Sequence, residues 1–388
     1  MLTLLKNGDV FTPDYIGKKD VLIGGGKILA IDENITLAGT VGVEMINAQG
    51  MHVVPGFIDS HVHIIGGGGE GGFSTRTPEL TLTEATKAGV TTIVGVLGTD
   101  GFSRTMTDLI AKAKGLTEEG ITCFVHTGSY HVPIQPVTGR IETDLMLIQE
   151  VIGVGEVAIS DHRSAQPELN ELKRLAAEAR VGGMLSGKGG IVNVHIGDGA
   201  DKLSLLEEIA RTTEIPITQF LPTHINRNKD LLQAGIIYAS NGGRIDLTTS
   251  NLPHEGESDL KCSKAFKKIL SRGIDLSLVT FTSDAQGSLP RFNDKGEFTG
   301  LGIGEIRSLY NEVRASVIEE GIPLEQALQV VTRNVANALK LKGKGELAIQ
   351  NDADIVLLDK QDLTIDTVIA KGQKMISHKE TIIKGTFE

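Results

Sequence analysis

Cysteine is nearly missing: Cys123 and Cys262 are the only two among 388 residues, too few for a disulfide framework. A chain of this length builds a core without disulfides or structural metal, so a small stapled module is excluded. A reducing, cytoplasmic setting is the expectation. Long apolar runs are missing too. None reaches the roughly 20 residues that a bilayer-spanning helix requires. The opening MLTLLKNGDVFTPD has no basic region followed by an apolar stretch and a cleavage site. Positive charge is in deficit, with Lys+Arg 38 against Asp+Glu 49 and a net charge of -11. That balance argues against a nonspecific grip on nucleic acid or anionic membrane, while leaving room for a local basic pocket. Tryptophan is absent and tyrosine numbers four. With 40% hydrophobic and 22% charged residues the chain is not disordered. Glycine, by contrast, is abundant at 47 residues, which implies many turns or close approaches of backbone to a ligand.

The texture changes twice along the chain. Residues 1–55 read as short strands between Gly and Asn-Gly turns, and residues 345–388 return to the same character. One small β domain built from both chain ends is expected, a β-sandwich formed by 1–55 and 345–388. Between them, 56–344 alternates strand and helix. Eight strands are expected, at Gly56–Ile64, Thr91–Leu97, Ile121–Thr127, Val151–Ile159, Ile191–Ile196, Ile217–Pro222, Arg244–Thr248 and Leu276–Phe281. Helical stretches such as Leu80–Ala88, Arg104–Glu118, Pro167–Val181, Lys202–Thr212 and Asp259–Ser271 lie among them. Eight apolar strands with helical returns fit a (β/α)8 barrel of the α/β class; an open doubly wound sheet is the alternative.

Asp59-Ser60-His61-Val62-His63 ends the first of these strands. Residues two apart on a strand face the same way, so His61 and His63 present two imidazoles together, a donor pair suited to a divalent ion of zinc type. A lone His-x-His is as readily a surface pair. The other strand ends weaken that reading: Glu156 lies on the fourth, His195 ends the fifth, His224 follows the sixth and Asp284 follows the eighth. Barrel active sites lie at C-terminal strand ends, and four histidines with two carboxylates make up the donor set of a two-metal hydrolytic centre. The glycine run before Glu70 lacks a following G-K-[ST] and is not a phosphate loop. The Thr77-Pro78 step marks the start of the next helix more simply.

PGFIDSHVHIIGGGGEGG, GTDGFSR, HTGSYHVP, ISDHRS, PTHINRN, TSDAQGS and GELAIQNDADIVLLD together resemble the amidohydrolase superfamily of metal-dependent hydrolases and, within it, the isoaspartyl dipeptidase branch, over essentially the whole chain. The resemblance implies a (β/α)8 barrel with a small β domain, two divalent ions, expected as Zn2+, and hydrolysis of the β-aspartyl isopeptide bond of small dipeptides. It makes His61, His63 and Asp284 ligands of the more buried ion and His195 and His224 ligands of the other. Close relatives bridge the ions with a carbamylated lysine on the fourth strand. This chain has no lysine there. Glu156 takes the matching place in a stretch one residue longer, and its two oxygens bridge as a carbamate would. A homo-oligomer, an octamer in relatives, is implied by the resemblance alone.

A metal pair lowers the pKa of water from 15.7 toward about 7. Asp284 is placed to accept the proton of the attacking water and pass it to the leaving amine. By resemblance Tyr130 donates to the developing oxyanion, and Thr99 and Ser288 contact substrate. His131 is read as a supporting or packing residue. An isoaspartyl dipeptide carries two carboxylates and one ammonium, which Arg163, Arg227 and Glu70 complement. Rival readings are another amidohydrolase, acting on a cyclic amide or an N-acyl amino acid, and a scaffold protein that has lost catalysis. The latter fits poorly with a full ligand set.

Overall fold

The computed structural model describes residues 2–37, 42–251, 260–292 and 298–388. The first five strands are β1 (Leu2–Phe11), β2 (Tyr15–Gly24), β3 (Lys27–Asp32), β4 (Val43–Asn47) and β5 (Met51–Pro55). Eight strands follow, alternating with helices: β6 (Phe57–Val62), β7 (Val90–Gly95), β8 (Thr122–Thr127), β9 (Val151–Ile159), β10 (Ile191–Ile196), β11 (Phe220–Thr223), β12 (Ile245–Thr248) and β13 (Val279–Thr282). A hairpin, β14 (Ser288–Phe292) and β15 (Phe298–Ile303), precedes three helices, and the chain closes with β16 (Ile355–Asp359), β17 (Ile365–Ala370), β18 (Gln373–Ser377) and β19 (Glu380–Thr381).

Both chain ends contribute to one sheet. Its order is β19-β18-β17-β16-β5-β1-β2-β3, with β4 pairing the first half of β1 in parallel. The seam between the ends is the antiparallel pair β16–β5, Ile355 opposite Pro55 and Asp359 opposite Met51. Leu5, Val10, Val21, Ile23, Ile28, Val53, Ile355, Leu357 and Ile369 form a core of their own beneath it.

Strands β6 to β11 form a second sheet, parallel and in sequence order, while β12 and β13 pair with each other in parallel. The margins meet: the Ile225 N–H donates to the Asp246 carbonyl at 3.2 Å, and the His63 N–H to the Ala285 carbonyl at 2.9 Å. Strands buried on both faces read as apolar runs, and all nine residues of β9 are buried. Helices such as Met106–Glu119 and Leu169–Ser186 cover the outside. At the N-terminal ends of the strands Ile58, Ile152, Ile191 and Leu221 pack with Val335, Ala336 and Leu339 of the helix Arg333–Leu339 as an apolar plug.

Local chemistry moves several expected boundaries. The sixth and eighth strands open as single 3-10 turns, Ile217–Gln219 and Leu276–Leu278, and extend only from Phe220 and Val279. The first helix begins at Leu82, not at the Thr77-Pro78 step, because the Glu84 carboxylate accepts from the Thr81 N–H at 2.8 Å and fixes the entry there. The helix expected over Asp259–Ser271 runs Cys262–Ser271; Asp259 lies outside the described residues.

Candidate metal centre and its surroundings

Six polar side chains meet at the C-terminal ends of the parallel strands. His61 is the last residue but one of β6 and His63 follows that strand directly. Their Nε2 atoms lie 3.7 and 3.1 Å from Asp284 Oδ1. Glu156 stands between them and the other two histidines. Its Oε2 is 3.3 Å from His61 Nε2, and its Oε1 is 2.8 Å from His195 Nδ1 and 3.2 Å from His224 Nε2. Two tight donor groups result, His61–His63–Asp284 and His61–Glu156–His224, with His195 attached through Glu156.

Backbone irregularities aim these groups. Between β9 and β10 the register slips by one residue, Val154 facing Val192 but Val157 facing Val194, so β9 carries an extra residue at Gly155-Glu156. Bulges re-aim side chains next to sites. Gly155 has φ 147°, and a Cβ there would sit 2.7 Å from the Asn193 carbonyl oxygen, which only glycine avoids. His224 and Asp284 take left-handed backbone, φ 64° and 53°, a conformation uncommon outside glycine, which His and Asp tolerate better than most, and one that concentrates at functional sites.

The donors carry an electrostatic signature. Burial pushes the Glu156 carboxyl up, but the adjacent His61 charge and hydrogen bonds from His195 and His224 overcome it and hold the group well below the usual carboxylate range. Burial works against a charged His61 as well, yet the neighbouring Glu156 carboxylate raises it to about 10. Burial and the nearby His195 depress His224 to about 3. The cavity therefore demands positive charge between its carboxylates. His61 Nε2, Glu156 Oε2 and Asp284 Oδ1 are buried and have no hydrogen-bond partner among the described residues. An unmade buried bond costs roughly 1–3 kcal/mol for each group, and three such atoms converge on one spot. A divalent cation fits them; His61, His63, Asp284, Glu156, His224 and His195 are the residues to hold it or a pair.

The expected substrate residues form a rim around this set. The Tyr130 hydroxyl lies 2.8 Å from His195 Nδ1, and burial holds its pKa well above the usual value, so it remains a donor. The Thr99 hydroxyl donates to Glu70 Oε1 at 3.0 Å, and Arg163 Nη1 lies 3.4 Å from the same oxygen. Arg163 and Arg227 each place Nη2 within 3.3–3.4 Å of His195 Nε2. Ser288 stands apart against the glycine loop, 3.0 Å from where a Cβ on Gly68 would be, with no hydrogen bond to the others among the described residues. His131 Nε2 meets the Thr99 carbonyl oxygen at 3.0 Å and so supports the loop.

Three supporting residues went unassigned in the sequence. Asp161 grips Arg163 with both oxygens, at 2.9 and 2.7 Å, and accepts from His195 Nε2 at 2.9 Å. Thr248 Oγ1 lies 2.7 Å from His224 Nδ1, and Asn193 Oδ1 3.0 Å from His61 Nδ1. Such partners orient metal-binding imidazoles. Spacing offered a signal for two of them: Asn193 is two residues before His195 on one strand, and Asp161 two before Arg163.

The family described as the amidohydrolase family matches residues 52–386. A β-aspartyl dipeptidase from Fervidobacterium islandicum AW-1, crystallised in complex with the β-Asp-Leu dipeptide, superposes with TM-score 0.90 at 45% identity, covering 98% of each chain. A dihydroorotase from Lactobacillus johnsonii is 25% identical over 96% of this chain and 93% of its own length. Dihydropyrimidinase from Brevibacillus agri NCHU1002 shares the fold at TM-score 0.70 and 20% identity, covering 99% of this chain and 97% of its own.

Proposed function

The chain belongs to the amidohydrolase family, and from that premise we propose that it hydrolyses the β-aspartyl bond of isoaspartyl dipeptides at a binuclear zinc centre. The observation that carries the reading is the charge pattern of the rim: Arg163, Arg227 and Glu70 beside the donor cluster complement two carboxylates and one ammonium. The 45% identical Fervidobacterium relative, crystallised with β-Asp-Leu, supports the same substrate class.

When bound, the ion pair supplies a water of lowered pKa and a Lewis acid for the scissile carbonyl. His61, His63 and Asp284 would hold one ion and His195 and His224 the other, with Glu156 serving both in place of a carbamylated lysine. Arg163, kept in place by Asp161, and Arg227 orient substrate carboxylates, while Glu70 and Thr99 take the ammonium and Ser288 adds a hydrogen bond. Tyr130, a hydroxyl at neutral pH, donates to the carbonyl oxygen as charge develops there. Asp284 is lowered despite burial by the His63 ring beside it and the nearby histidine charges, so it starts as a carboxylate. It takes the proton from the attacking water and gives it to the departing amide nitrogen, which leaves as an amine.

Within this reading the eight parallel strands are a (β/α)8 barrel over 56–344, and 1–55 with 345–388 form the small β-sandwich domain. Two buried, unpaired thiols suit a reducing cytoplasm, and among the described residues no helix is long and apolar enough to cross a membrane. A homo-oligomer is part of the proposal. The test is a substrate panel on metal-quantified enzyme: β-Asp-Leu against dihydroorotate and N-acyl amino acids. Turnover of β-Asp-Leu alone supports the assignment; preference for the cyclic amide gives the chain to the dihydroorotase side of the family.

A further inference from the structure

Asn193 lies on β10, buried to 1% exposure, directly opposite the bulge that carries Glu156 on the neighbouring strand. Its side chain makes two polar contacts. Nδ2 donates to the Leu221 carbonyl oxygen at 3.3 Å, and Oδ1 lies 3.0 Å from His61 Nδ1. A carbonyl oxygen can only accept, so the Leu221 contact commits the NH2 end of the amide and turns Oδ1 toward the imidazole. Oδ1 can likewise only accept. The His61 Nδ1 must therefore carry a hydrogen, which leaves Nε2, 3.3 Å from Glu156 Oε2 and 3.7 Å from Asp284 Oδ1, as the nitrogen that can give up its proton to a cation.

We propose that Asn193 is a positioning residue that fixes the His61 ring in the Nδ1–H tautomer, so that Nε2 alone is presented to the metal. Resting on the metal-centre reading above, it assigns that centre a residue outside the ligand set. The same side chain couples the two halves of the centre. A Cβ on Gly155 would meet the Asn193 carbonyl oxygen at 2.7 Å and its Cβ at 3.0 Å, so the bulge that aims Glu156 is seated on the residue that aims His61. Without metal a proton on Nε2 meets the two carboxylates, and a cation that displaces it finds Nε2 already aimed between them.

The experiment measures zinc and cobalt affinity by chelator competition on the full-length wild type, Asn193→Leu and Asn193→Asp, with the melting temperature of each metal-free protein alongside. Leucine keeps the shape of asparagine without its polar atoms; aspartate keeps an acceptor toward His61. Loss of a partner of this kind costs typically about 10–100-fold in metal affinity. The expected result is that loss for one of two ions in Asn193→Leu, an altered cobalt absorption band, most of the affinity regained in Asn193→Asp, and a metal-free melting temperature that does not track the loss. Wild-type affinity for both ions in Asn193→Leu overturns the proposal. Equal losses in both variants, in step with a lower metal-free melting temperature, overturn it in favour of a structural role. If Asn193→Leu does not fold, nitrogen NMR of the wild-type histidine rings decides: Nδ1 protonated in the metal-loaded enzyme supports the proposal, Nδ1 as ligand refutes it. A wild type that binds no divalent ion instead refutes the metal-centre reading itself.

Discussion

Replacing Glu156 by glutamine separates a permanent glutamate bridge from every alternative. The substitution keeps shape and removes charge at a site 1% exposed, where four histidine nitrogens lie within 2.8–3.9 Å of the carboxylate oxygens. Removing one partner of a buried charged set costs roughly 3–5 kcal/mol. At 1.4 kcal/mol per tenfold, that is on the order of 10²–10³ in affinity for the second ion. The metal-free protein should lose far less, because His61 can release its proton when the facing carboxylate is gone. The assay is metal content and chelator competition for both proteins, with reconstitution in CO2-depleted buffer. Wild-type apoenzyme should regain full activity there on addition of metal alone, since a glutamate needs no carbamylation. A Glu156→Gln enzyme holding two ions at wild-type affinity, or a wild type that needs bicarbonate to recover, refutes the bridge.

Three further outcomes follow from the geometry. Matched β- and α-linked aspartyl dipeptides should differ by at least about 100-fold in kcat/KM, because the extra methylene shifts the scissile carbonyl against Arg163, Arg227 and Glu70 by about 1 Å; equal values count against the rim assignment. Asp284→Asn should lower kcat by about 10²–10⁴ at matched metal occupancy, and a loss under about tenfold with both ions present gives the proton transfer to another group. Lys344→Met should cost about 3–5 kcal/mol in urea unfolding, since the buried Lys344 ammonium meets Asp354 at 2.6 Å, Asp352 at 2.8 Å and the Thr122 hydroxyl at 2.7 Å; an unchanged midpoint makes that cluster a spectator.

What could be read from the sequence followed a simple rule. Elements whose signal is local and periodic were legible: β9 and β10 fall on the residues their apolar runs mark, and His61 and His63 share a face as strand alternation requires. Starts set by a single turn or cap were displaced, as at Phe220, Val279 and Leu82, because an apolar run does not distinguish a 3-10 turn from the strand it feeds. The short helix Ile141–Leu147 escaped altogether: it has seven residues, under two turns, too few for a period to show. The donor cluster was legible because His, Asp and Glu at strand ends are conspicuous. Asp161, Asn193 and Thr248 were not, since their function lies in contacts across strands that only the fold creates.

The irregularities of this chain are where ligand aim is decided. In regular parallel strands side chains alternate, and no uniform pleat brings six donors from five strands to one point. The bulge at Gly155-Glu156 and the left-handed turns at His224 and Asp284 supply the missing rotations. Glycine's absent side chain makes room at two of them, since a Cβ on Gly155 would strike the Asn193 carbonyl oxygen and one on Gly287 would approach Asp284 Oδ1 to 2.8 Å. The surrounding apolar strands and the plug at the opposite end keep these local departures from spreading, because a close-packed core resists the shifts that would relax them. It follows that the glycines beside the donors matter to the chemistry although none of them has a side chain to offer it.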